Sequence, residues 1–89
     1  MSGFLRETGY FNRENYRDTF RVLGLKIAYY RKLRGLTQEQ FAEAIGRSVS
    51  FVSQIEANNS ATVKGISLDT LFTISEKLEV PVARLFEDL

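Results

Sequence analysis

The side chains able to do chemistry in this sequence are short and polar, and they fall in one run. From Ser48 to Ala57 the chain reads SVSFVSQIEA. At about 100° per residue on a helix, Phe51, Val52 and Ile55 share one side. Ser50, Ser53 and Ala57 share the opposite side, with Val49 and Gln54 flanking it. Hydroxyls and carboxamides donate and accept hydrogen bonds at once, and a hydrophobic core has no need of such groups. The row is suited to recognition; the bland alternative is a merely solvated helix surface. Catalysis has little to work with. The chain has no His and no Cys, which removes the commonest general base and the thiolate nucleophile. It also has no Gly-rich phosphate loop and no paired-carboxylate signal. Neither enzyme activity nor a metal or cofactor is expected.

A row on one helix needs other elements to hold it outward. The first predicted helix runs from about Asn15 to Leu33, where Tyr16, Phe20, Leu23, Ile27 and Tyr30 recur at three- and four-residue steps. Gly24 is expected to weaken it by roughly 1 kcal/mol relative to Ala, and Gly35 to stop it. The second helix has a full start signal. Thr37 caps it, Gln40 closes a capping box, and Leu36 and Phe41 form a hydrophobic staple. Phe41, Ala42 and Ile45 face inward, and Gly46 ends the helix. Ser48 caps the third helix, which bears the row. Residues 57–66 read as a loop. Ser67 caps a fourth helix with apolar Leu68, Leu71, Phe72, Ile74 and Leu78, and Pro81 opens a short fifth one with Val82, Leu85, Phe86 and Leu89. The pattern is all-α, a compact five-helix globule.

Eighty-nine residues make one domain with a thin core. The net charge of +1 hides an asymmetry. Residues 1–66 hold ten Lys/Arg against six Asp/Glu, and residues 67–89 hold two against five. A basic front favours an anionic partner, although asymmetry of this size is common by chance. No apolar run reaches membrane-spanning length. The opening MSGFLRETGYFNRENYR lacks a signal-peptide core, and the absence of Cys fits a reducing compartment. A cytoplasmic location away from the membrane is expected.

The segment GLTQEQFAEAIGRSVSFVSQIE resembles a helix-turn-helix, and more narrowly the XRE family, the fold of the lambda and Cro-type repressors. The resemblance rests on Leu36-Thr37-Gln38-Glu39, Phe41-Ala42, Gly46 and Ser53-Gln54-Ile55-Glu56. It continues through SLDTLFTISEKLEVPVARLF and covers about Leu23 to Phe86. It implies a lambda-repressor-like domain at 22–89, preceded by an extension at 1–21 that runs into the first helix. The implied partner is double-stranded DNA. A major groove admits one helix, and short outward side chains allow close approach to base edges. Val49, Ser50, Ser53 and Gln54 are the expected base contacts. Gln54 suits a bidentate pair with adenine, and Val49 a thymine methyl, where the family more often has a polar residue. The resemblance places Gln38 on a phosphate, where a helix N-terminus favours anions. Arg47, Ser48, Asn58, Asn59 and Lys64 are the further phosphate candidates, each with surface solvation as the alternative. It also implies that Glu56 pairs with Arg31 to join two helices, a structural role.

The implied function is a transcription regulator, a repressor that binds a palindromic operator as a homodimer. Val82, Leu85, Phe86 and Leu89 are the candidate dimer interface; the alternative is that they complete the core. The competing reading is an antitoxin or adaptor of the same fold whose main role is to bind a protein partner. A restriction-modification controller is a variant of the first reading. Two departures from the family pattern stand out. The 57–66 loop is about four residues longer than usual, and Phe4, Leu5, Tyr10 and Phe11 make residues 1–20 too apolar for a free tail. They are expected to pack on the domain or across a dimer.

Overall fold

The computed structural model describes residues 16–57 and 65–87. Its elements are α1 (Arg17–Leu33), α2 (Gln38–Ile45), α3 (Val49–Ala57), α4 (Leu68–Leu78) and a 3-10 helix (Val82–Phe86). No strand occurs among the described residues. Among the described residues there are four α-helices, and the segment expected to form a fifth is a 3-10 helix. Pro81 and Glu87 are both extended and leave five residues between them. So short a segment closes by an i→i+3 bond, Arg84 N–H to Pro81 O at 3.0 Å. That turn drives Leu85 fully into the core.

Caps fix most helix ends. At α2, the Gln40 N–H donates to Thr37 Oγ1 at 3.0 Å, and the Thr37 N–H donates to Gln40 Oε1 at 2.9 Å. The expected capping box is thus complete. Gly46 ends α2 at φ +70°, and the Arg47 N–H reaches back to Ala42 O at 2.9 Å. This left-handed residue makes the hinge between α2 and α3, a conformation that costs little only for glycine. Ser48 Oγ accepts the Phe51 N–H at 3.1 Å and starts α3. Ser67 caps α4 by accepting the Thr70 N–H at 3.2 Å.

The core joins Leu23, Ile27 and Tyr30 of α1 to Phe41, Ala42 and Ile45 of α2 and to Phe51, Val52 and Ile55 of α3. Leu71, Ile74, Leu78 and Leu85 close it from the C-terminal side. Gly24 has a role that helix propensity does not show. A Cβ there would lie 2.2 Å from the Ile55 carbonyl oxygen, so α1 runs directly against the last turn of α3. The apolar stripes are also narrower than the sequence suggests. Leu68 and Phe72 are 67% and 56% exposed, on the flank of α4, while Thr70 takes a buried position. Tyr16, at the start of the α1 stripe, is 46% exposed. α1 runs unbroken across residues 21 and 22.

Candidate nucleic-acid interface

The candidate interface begins with what α3 does with its two sides. Phe51, Val52 and Ile55 are buried against α1 and α2. Val49, Ser50, Ser53, Gln54 and Ala57 are all exposed. The side chains of Ser50, Ser53 and Gln54 make no hydrogen bond to another described residue. The side-chain hydrogen-bonding capacity of this row is therefore unused among the described residues. Val49, 39% exposed, stands at the first helical position beside them.

The opposite end of α3 is tied down by charge. Arg31 is 7% exposed and surrounds itself with acceptors. Its Nε donates to Glu56 Oε2 at 2.6 Å and its Nη2 to Glu56 Oε1 at 3.0 Å, a two-pronged pair. Its Nη1 donates to the Leu36 carbonyl at 2.8 Å. Gln38 Nε2 adds a bond to Glu56 Oε1 at 3.0 Å. The buried Arg31–Glu56 pair thus joins α1, the turn before α2, the start of α2 and the end of α3. Among the described residues no buried side-chain nitrogen or oxygen lacks a partner.

This geometry changes what Gln38 can offer. The resemblance places its side chain on a phosphate; the amide nitrogen gives one N–H to Glu56 and keeps a second. The α2 N-terminus retains backbone N–H groups not used by the cap, because Thr37 satisfies that of Gln40. Arg47 is also engaged. It lies exposed in the hinge with its guanidinium 4.1 Å from the centroid of the Phe51 ring, and its Nη1 donates to Thr70 Oγ1 at 3.2 Å. Ser48 caps α3 through its side-chain oxygen and keeps its hydroxyl hydrogen as a donor. Asn58, Asn59 and Lys64 lie outside the described residues, as do Leu89 and the apolar residues Phe4, Leu5, Tyr10 and Phe11.

Of the residues expected at a dimer interface, Leu85 is 0% exposed in the protomer's own core and cannot also line an interface. Val82 is half-buried against that core. Phe86 remains 49% exposed and lines a shallow depression with Asp18, Thr19 and Val22 of α1.

Two supporting contacts escaped the sequence reading. Arg34 Nε donates to the Leu78 carbonyl at 2.7 Å and its Nη2 to the Glu79 carbonyl at 3.2 Å, clamping the C-terminal end of α4 to α1. The arrangement places a cation where carbonyls are otherwise unsatisfied and the helix end is negative. Thr70, the hydroxyl that receives Arg47, was likewise not singled out. Both contacts join residues far apart in sequence, and neither has a local signal.

Comparison with known proteins agrees with this geometry. A helix-turn-helix family model matches residues 27–85. The HTH-type transcriptional regulator YazB of Bacillus subtilis (strain 168) is 40% identical over 63 residues, which span 67% of this chain and 91% of that protein. Two solved structures have the same fold at a TM-score of 0.67. The restriction-modification controller protein C.AhdI from Aeromonas hydrophila is 24% identical, with 75% of this chain and 96% of that one covered. The clp gene regulator ClgR from Corynebacterium glutamicum is 25% identical, with 75% and 67% covered. With a family model over most of its helices and a relative of this identity, the chain belongs to the XRE-type helix-turn-helix family of transcription regulators.

Proposed function

We propose that this protein is a sequence-specific DNA-binding transcription regulator, a repressor that binds a palindromic operator as a homodimer. One observation carries the reading: α3 presents Ser50, Ser53 and Gln54 to solvent with no partner among the described residues, while its other side is locked into the core. A helix so mounted suits insertion into a major groove, where Gln54 has the donor and acceptor an adenine edge needs. Val49 adds apolar contact. The α2 N-terminal amides, Arg47 and, outside the described residues, Asn58, Asn59 and Lys64 are assigned to phosphates, which set position and not sequence. Dimerisation follows from economy of contact. One short helix reaches only a few base pairs, and two half-sites about 34 Å apart supply the rest. Phe86 and the depression beside it on α1 are the surface assigned to that contact, with Leu85 withdrawn. No helix among the described residues is long and apolar enough to cross a membrane, and a cytoplasmic site of action fits the reading.

The test is enrichment of duplexes from a random pool by the full chain, followed by footprinting of the winners. The reading expects an inverted repeat whose half-sites are about one helical turn apart. Recovery of no preferred sequence would sink it.

A second reading, a partner-binding antitoxin or adaptor, has one observation in its favour. Leu25, Tyr29 and Leu33 follow each other at four-residue steps along the outer side of α1, and they are 40%, 57% and 59% exposed. A stoichiometric partner protein that co-purifies and blocks duplex binding would favour it.

A further inference from the structure

By whole-residue exposure, Thr70 and Arg31 are the buried polar residues among those described. Arg31 is explained by Glu56. Thr70 is not explained by packing, since a Val would fill the same space without a hydroxyl to satisfy. Its Oγ1 accepts from two sides. Ser67 Oγ donates to it at 3.0 Å, and Arg47 Nη1 donates at 3.2 Å across 23 residues of sequence. The Phe51 ring covers the flat side of the same guanidinium at 4.1 Å.

An exposed arginine would ordinarily sample many rotamers, and an anion that binds it must then select one. Here both the plane and one edge of the guanidinium are fixed. Its other N–H groups, which project in that plane, make no hydrogen bond to a described residue. Arg47 directly precedes Ser48, the cap of α3. If α3 enters a groove, the residue before its first turn lies over the sugar-phosphate rail that borders the groove. We infer that Thr70 is a positioning residue for DNA binding: with the Phe51 ring it pre-orients Arg47 as a bidentate phosphate ligand. The α4 N-terminus, through Ser67 and Thr70, thereby becomes part of the binding apparatus without touching the nucleic acid. This rests on the DNA-binding reading above.

A double-mutant cycle tests it. The probe is a duplex enriched from the random pool by the wild-type chain, and the readout is affinity across a series of salt concentrations. Arg47→Gln is expected to weaken binding about tenfold and to reduce the slope of log K against log salt by about 0.9. Thr70→Val is expected to weaken binding about threefold to tenfold and to reduce the slope in the same direction. Thr70→Ser, which keeps the hydroxyl, restores both values. In the Arg47→Gln background, Thr70→Val has no further effect. Two results would overturn the inference: full weakening by Thr70→Val with Arg47 already gone, or an unchanged salt slope in the single variant. A wild-type chain that enriches no duplex overturns the DNA reading and this inference together. Binding with additive effects overturns the inference alone.

Discussion

Gln54 and Glu56 stand two residues apart on α3 and carry side chains of nearly the same shape, yet the fold uses them in opposite ways. Both oxygens of Glu56 are taken, by Arg31 and Gln38, in a buried junction of three helices. The Gln54 side chain is exposed and bonds to no other described residue. Two residues turn a helix by about 200°, which moves a side chain from the protein's interior to its outer face. One helix therefore has a polar group that fixes its pose and polar groups left over for a partner. The contrast separates the polar residue that serves stability from those that the proposed function assigns to recognition.

The first way to break this comparison is to unmake the junction. Arg31→Met leaves the Glu56 carboxylate buried without its cation and is expected to cost about 3–5 kcal/mol, read as a shift of the urea unfolding midpoint. In a domain of this size that is a large part of the total stability. Loss of well under 1 kcal/mol would show that the junction does not hold α3. Gly24→Ala acts on the same end of α3 by another route. Its Cβ cannot coexist with the Ile55 carbonyl 2.2 Å away, so α1 and α3 must separate. The expected cost is about 1–3 kcal/mol, although the same exchange normally favours a helix. A stabilised variant would refute the close approach.

Much of this was legible beforehand because it is local. The Thr37–Gln40 box, the Gly46 stop, the Ser48 and Ser67 caps and the two sides of α3 all depend on residues within a turn or two of each other. What was misread depends on partners distant in sequence. Periodicity marks Leu85 as apolar but not whether its own core or a second copy will cover it. It marks Leu68 and Phe72 as apolar, although α4 rotates them out and brings Thr70 in. The proximity of Gly24 to Ile55 and the clamp of Arg34 on Leu78 belong to the assembled helices and have no sequence signature. The bond from the Gln38 amide to a carboxylate 18 residues away likewise has no local signal.

A smaller effect sharpens the comparison at the hinge. Gly46 holds φ +70° in open space, so Gly46→Ala meets backbone strain without a clash. A cost of about 1 kcal/mol is expected, measured by thermal unfolding, with the Arg31–Glu56 junction intact. A cost near zero would mean that α2 and α3 meet through another turn geometry.

The most direct measurement compares wild type with Gln54→Ala on an enriched duplex and all of its single-base variants. Stability is expected to change by less than about 0.5 kcal/mol, as for an exposed residue. Preference is expected to collapse by about 1–3 kcal/mol at one base pair in each half-site and to persist elsewhere. An equal loss across every duplex, or an unaltered preference at every position, would contradict the assignment of α3's outer face to base reading.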